Sequence, residues 1–184
     1  MAYRTADRNK TAQFFIDAFG YRVQTEFEPK FDDGTSQGVK CIALEPPEKY
    51  KEKPNEIWSG FTWTYAYESV GANIRQEYHV PPEIFISDGP PDSIVGKWVA
   101  ERGGIGGLHH MAYQVDDVQA VMDEWKTKGY AEFLSGKPLT CPGLTQVFTK
   151  PSSLLGVIIE LITRDKHGFC AESVAGLMES TKAL

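Results

Sequence analysis

The stretch LHHMAYQVDD, Leu108 to Asp117, has an echo in MAYRTAD at the start of the chain, Met1 to Asp7. Laying Met111 on Met1 brings Tyr113 onto Tyr3 and Asp117 onto Asp7; Gly129-Tyr130 then meets Gly20-Tyr21 after a slip of one residue. Self-similarity of this kind is the signature of a repeated structural unit. The spacing predicts a short strand in each copy, Ala2 to Thr5 and His110 to Val115. An aspartate then follows whose carboxylate can accept from the free N–H groups of a helix's first turn.

Helix periodicity follows each aspartate. Ala12, Phe15, Ile16 and Phe19 recur at i, i+3, i+4, i+7, as do Val118, Val121, Met122 and Trp125. Gly20 and Gly129 stand where a left-handed cap would stop each helix. Strand signals come next: Tyr21 to Phe27, Val39 to Leu44 and Glu83 to Ser87 in the first half. In the second they are Ala131 to Leu134, Thr145 to Thr149 and Val157 to Thr163. The expected class is α+β, built from two βαβββ modules over residues 1–102 and 103–184. Asp92 to Glu101 reads as a short helix between them, and Gly103 to Gly107 (GGIGG) as a hinge. GGIGG precedes a strand and lacks the following Lys-Ser/Thr of a phosphate-binding loop.

Residues 46–82 interrupt the symmetry with IWSGFTWTYAYE, where Trp58, Phe61, Trp63, Tyr65 and Tyr67 include a period-2 run. A strand or hairpin is expected, either closing a core edge or covering a ligand pocket. Near the C-terminus Val174, Leu177 and Met178 share one face of an amphipathic helix.

A net charge of -6 argues against nucleic acid or an anionic membrane as partner. No apolar run approaches the ~20 residues of a membrane span, and no basic-then-apolar leader opens the sequence. Cys41, Cys141 and Cys170 are widely spaced without a C-x-x-C pair, as expected for reduced thiols in the cytoplasm.

The chemistry concentrates in the second half. Glu160 lies within GVIIELIT, and a carboxylate in such a strand is costly without a metal, a cation or hydrogen bonds. Gln146 and Phe148 share a strand face in TQVFTKP. His110 and Ala112 share another, while alternation turns His109 away from His110. Histidine and carboxylate on facing strands suit a divalent first-row metal with positions left open for substrate.

The doubled module resembles the vicinal oxygen chelate superfamily, which includes glyoxalase I, methylmalonyl-CoA epimerase, extradiol dioxygenases and bleomycin-resistance proteins. GGIGGLHHMAYQVDDV, TQVFTKP, IIELITR and HGFCAE, in that order, look most similar to the C-terminal half of 4-hydroxyphenylpyruvate dioxygenase. The resemblance implies His110 and Glu160 as metal ligands, with Gln146, Phe148 and Phe169 beside the substrate. It also aligns EIFISD with ELITRD, which makes Glu83 a third candidate ligand. Ser87 stands where the dioxygenases carry an asparagine in the pocket, and Ser173-Val174 where they carry Asn-Phe. The leading histidine of the first module would fall immediately before Met1. His79 and His167 lie in loop contexts.

The implied function is a mononuclear Fe(II) dioxygenase acting on a small chelating oxo or hydroxy acid. Zinc, nickel, cobalt or manganese are the alternative ions. The alternative functions are a metal-dependent isomerase, epimerase or lyase of the same superfamily, and a metal-free ligand-sequestering protein of the bleomycin-resistance type. Fold analogy adds a homodimer to these expectations.

Overall fold

The computed structural model describes residues 1–31, 37–46, 64–67, 75–78 and 82–164, together with Val174 and Met178. At the start of the first half, β1 (Ala2–Arg4) leads into α1 (Arg8–Phe19). Asp7 caps this helix by accepting from the Lys10 N–H, and Gly20 ends it at φ 71. The second half repeats the device. After β7 (Gly107–Gln114), Asp117 accepts from the Ala120 N–H to open α3 (Val118–Lys128), and Gly129 closes it at φ 69. A positive φ is nearly free for glycine and strained for other residues, so both helices stop where the repeat places them.

The remaining strands of the first half are β2 (Arg22–Phe27), β3 (Lys40–Glu45) and β6 (Ile84–Asp88). Those of the second are β8 (Leu139–Cys141), β9 (Leu144–Phe148) and β10 (Ile158–Arg164). They form one cupped eight-stranded sheet in the order β2-β3-β6-β1-β7-β10-β9-β8. β1 pairs parallel with β6, β10 pairs parallel with β7, and β1 meets β7 antiparallel at the centre. The two halves are thus joined by backbone hydrogen bonds, a mixed α+β architecture of the expected class.

Apolar alternation decides which face each helix covers. Tyr3, Ile42, Leu44, Ile84 and Ile86 pack against Ala12, Phe15 and Phe19 of α1. Met111, Val147, Ile159 and Leu161 pack against Val118, Met122 and Trp125 of α3. On the other face of the first half, Ala2, Cys41, Ala43 and Phe85 are covered by Ile94 and Val95 of α2 (Ile94–Glu101) and by Val174 and Met178. Val174 and Met178 are both helical and buried, at the i, i+4 spacing expected of an amphipathic helix.

Two expectations are corrected, and the strand or hairpin expected in the aromatic insertion is found. Residues 131–134 make only an isolated bridge, Phe133 to Thr149, and the strand of that region is β8. The backbone of 132–134 is instead spent on the end of β9, with Leu134 N donating to Phe148 O and Lys150 N to Glu132 O. GGIGG is not a free hinge: a Cβ on Gly106 would lie 2.8 Å from Arg4 O and 2.9 Å from Thr5 Cα. The glycine is there because two backbones touch. The aromatic insertion contributes β4 (Thr64–Tyr67) and β5 (Arg75–Tyr78), an antiparallel pair in a sheet of its own. Trp58, Phe61, Trp63, His79, Leu177, His167, Phe169, Cys170 and Ser173 lie outside the described residues.

Candidate functional site

His110, Phe148 and Glu160 come from three adjacent strands. Ile158 is the register partner of His110, Glu160 that of Ala112 and Phe148, and Ile162 that of Gln146. Register partners share a sheet face, so His110, Gln146, Phe148 and Glu160 all stand opposite α3. Their intervening neighbours Met111, Val147, Ile159 and Leu161 fill the α3 side. A cavity of about 1380 Å³ on that helix side is lined by Tyr113, Trp125, Tyr130, Phe133 and Leu154 among others; His110 and Glu160 do not border it.

His109 departs from simple alternation. Ala2 pairs with His110 but Tyr3 pairs with Leu108, so His109 is an extra residue in the β7 edge of the β1–β7 pair. Such a bulge sets two residues opposite one and re-aims their side chains. The two imidazoles consequently face each other, Nδ1 to Nδ1, at 3.0 Å. The expectation that His109 turns away from His110 is overturned, and the cause is the bulge. The His109 ring also stands nearly perpendicular to Trp98 of α2, with centroids 5.6 Å apart, and His110 nearly perpendicular to Phe148 at 5.7 Å.

Across the β7–β10 pair, His110 Nε2 lies 3.4 Å from Glu160 Oε2, and both residues are buried. Burial pushes the Glu160 carboxyl up to about 7, even though the Met1 ammonium and the Arg164 guanidinium pull the other way. Burial, then the Met1 ammonium and the Arg4 guanidinium, bring His110 down to about 3. The pair is therefore a neutral imidazole facing a carboxyl poised near neutrality, not a fixed ion pair.

Glu83 immediately precedes β6 and its carboxylate bonds the Arg164 guanidinium, an ion pair that bridges the two halves. Its carbonyl accepts from the Met1 nitrogen at 2.8 Å. The structure thus couples Glu83 to Arg164 rather than to His110. Ser87 is fully buried, with its hydroxyl donating to Tyr3 O at 3.4 Å, and is the register partner of Arg4 and Cys41. Gln146 is buried on the face of Glu160, one register row away.

Two arginines were not anticipated. Arg164 follows Glu160 at i+4, so period-2 reading of IIELITR already puts both on one face. Arg4 is buried, with its guanidinium 5.8 Å from the Trp98 ring, and Arg102 approaches the same ring at 4.6 Å. A charged residue in so short a central strand was a readable signal.

The donor pair fits a divalent ion in three respects. Imidazole nitrogen and carboxylate oxygen suit first-row metals. Two bonds of about 2.1 Å at a tetrahedral angle would set their donors roughly 3.4 Å apart, the separation seen between His110 and Glu160. The raised Glu160 pKa shows a buried carboxylate whose charged form lacks full compensation, a lack that a cation would fill. Among the described residues no third histidine, cysteine, aspartate or glutamate joins them.

No family model matches the chain. An ethylmalonyl-CoA/methylmalonyl-CoA epimerase of Cereibacter sphaeroides is 34% identical over 62 residues. That alignment spans 33% of this chain and 46% of the relative, less than half its length. Among solved structures, a selenomethionine methylmalonyl-CoA epimerase superposes with a TM-score of 0.55 at 26% identity, covering 90% of this chain and 92% of that one. The Mycobacterium tuberculosis methylmalonyl-CoA epimerase gives 0.53 at 16% identity over 89% and 85% of the two chains. A methylmalonyl-CoA epimerase in complex with methylmalonyl-CoA and NH4+ gives 0.51 at 23% over 90% and 92%; these last two speak to the fold alone. The neighbours are epimerases of the vicinal oxygen chelate superfamily. The nearer likeness to 4-hydroxyphenylpyruvate dioxygenase is not supported, and neither are iron and dioxygenase chemistry.

Proposed function

We propose that this protein is an isomerase that inverts a carbon acid next to a thioester, a methylmalonyl-CoA-type epimerase. The observation that carries the reading is the buried His110–Glu160 pair in a fold shared with such epimerases. His110 Nε2 and Glu160 Oε2 would hold a divalent ion, which supplies a Lewis acid for two neighbouring substrate oxygens.

The rest is work for the chain's own side chains. Arg164 offers a guanidinium suited to a substrate carboxylate, and its present partner is Glu83. A substrate carboxylate on Arg164 competes with Glu83 and frees a Glu83 oxygen to accept the proton on the carbon between carboxylate and thioester. The electron pair of that C–H bond moves into the thioester carbonyl as a planar enolate. A solvent-derived proton returned to the opposite face inverts the centre, and Glu83 gives the proton it took back to solvent, with no net oxidation. Phe148 and Ile158 supply an apolar wall that limits water at the site.

The test is isotope exchange. Methylmalonyl-CoA is incubated in D2O with protein loaded with Co²⁺ or Mn²⁺, and the α-proton signal is followed. Loss of that signal, reduced at least ~100-fold in Glu83→Gln and abolished in His110→Ala, is the expected result. No exchange by protein shown to bind the ion would overturn the reading.

A further inference from the structure

The two facing Nδ1 atoms of His109 and His110 have a consequence for the atom that faces Glu160. At 3.0 Å, with both imidazoles buried, there is room for one proton between them. Two bare Nδ1 lone pairs would repel, and two N–H groups would collide. Both rings are buried, and one shared proton is the arrangement that the Nδ1–Nδ1 distance allows. Neutral imidazole carries one N–H, so a proton on Nδ1 leaves Nε2 bare. The partners must therefore be opposite tautomers, at constant net protonation.

We propose that His109 is a positioning residue which accepts the Nδ1 proton of His110, so that His110 presents a bare Nε2 toward Glu160. The bulge at His109 creates the contact, and Trp98 of α2 packs against the His109 ring, nearly perpendicular to it at 5.6 Å. A ligating histidine ordinarily donates its other ring N–H to an oxygen acceptor that fixes tautomer and orientation. Here a neighbouring imidazole takes the place of that carboxylate or carbonyl. It does so without adding a negative charge to a pocket that already buries Glu160. The proposal rests on reading His110 Nε2 as the site's working atom, but its primary test needs neither ion nor substrate.

That test is long-range 15N–1H NMR of the metal-free protein labelled at histidine, with the His110 signals assigned by their absence in His110→Gln. The expected pattern is His110 protonated at Nδ1 and His109 protonated at Nε2. His109→Leu removes the acceptor and is expected to mix the His110 tautomers and weaken Co²⁺ binding by about 10- to 100-fold. His109→Asn, whose amide oxygen can take the position of Nδ1, is expected to restore the tautomer and most of the affinity. A wild-type His110 protonated at Nε2 overturns the proposal, and this measurement stands even where a variant fails to fold. So does a folded His109→Leu protein with unchanged tautomer and affinity. The predicted tautomers together with no α-proton exchange on methylmalonyl-CoA would leave His109's role in place and remove the epimerase reading instead.

Discussion

Ala2 and His110 are register partners across the central strand pair, and the next residue along, Tyr3, pairs with Leu108. The first strand of each half therefore meets its counterpart back to back, and the one irregularity of that junction falls at the histidines. A site built on this seam depends on both halves. His110 and Arg164 stand on one side of it, and Arg4 and Glu83 on the other.

The seam has a tight point at Gly106. Replacing it with alanine puts a methyl group 2.8 Å from Arg4 O, and backbone cannot step aside as a flexible side chain would. Gly106→Ala is expected to lose about 1–3 kcal/mol, the usual scale of overpacking. Gly136→Ala, with open space around its Cβ, is the control and should change stability by less than about 0.5 kcal/mol. Urea unfolding of the two variants checks this. Equal effects would show that β1 and the Gly106 backbone do not approach as described.

Glu83 and Arg164 form a partly exposed ion pair between halves, with side chains 35% and 26% accessible. Screening at such exposure limits its contribution to stability, so a double-mutant cycle with Glu83→Gln and Arg164→Gln should give a coupling of about 0.5–1 kcal/mol, shrinking in high salt. Its effect on turnover should be larger and divided. Arg164→Gln raises KM for a carboxylated thioester at least ~10-fold, the scale of one charge-assisted bond, while Glu83→Gln lowers kcat. Steady-state kinetics of both variants separate the roles; a kcat defect alone in Arg164→Gln would place Arg164 outside substrate recognition.

Binding of a divalent ion at His110 and Glu160 must displace whatever proton Glu160 carries. With its pKa at about 7, roughly half a proton should be released per ion at pH 7, nearly one at pH 6 and little at pH 8. Calorimetry of Co²⁺ binding in buffers of different ionisation enthalpy reads this number directly. A release that does not fall between pH 6 and pH 8 would place the ion away from Glu160.

Much of this arrangement was legible in the residues. The paired caps Asp7 and Asp117, with Gly20 and Gly129, marked both helices because capping is local chemistry. Glu160 stood out because a carboxylate flanked by Ile158, Ile159, Leu161 and Ile162 has few stable explanations. What escaped was non-local. A bulge adds one residue to a strand without changing its composition, so only the pairing of Ala2 with His110 reveals it. Leu139–Cys141 is too short to show alternation, and its strand character comes from pairing with β9. Arg164 lay on a readable face, but its partner Glu83 is 81 residues away, beyond any periodicity.

The strongest thermodynamic signature belongs to Glu160 in the metal-free protein. Its folded pKa of about 7 lies above its ordinary 4.5, so between those values the native state binds more protons than the unfolded chain. Stability from this group is complete below pH 4.5 and is lost as pH rises through 7. His110, brought down to about 3, acts in the opposite direction, adding stability as pH rises from 3 toward 6.5. His109, also lowered by burial, adds a second slope of the same sign as His110, so between about pH 4.5 and 6.5 wild type alone does not isolate the Glu160 effect. The difference between wild type and Glu160→Gln removes the histidine contribution to first order. That difference should shift in favour of the glutamine variant by roughly 3 kcal/mol from pH 4.5 to 8, the worth of the whole pKa change at about 1.4 kcal/mol per unit. Guanidinium unfolding of both proteins at pH 4.5, 6, 7 and 8 measures it. A difference that stays flat across that range would mean Glu160 keeps an ordinary pKa, with its charge already compensated in the folded protein.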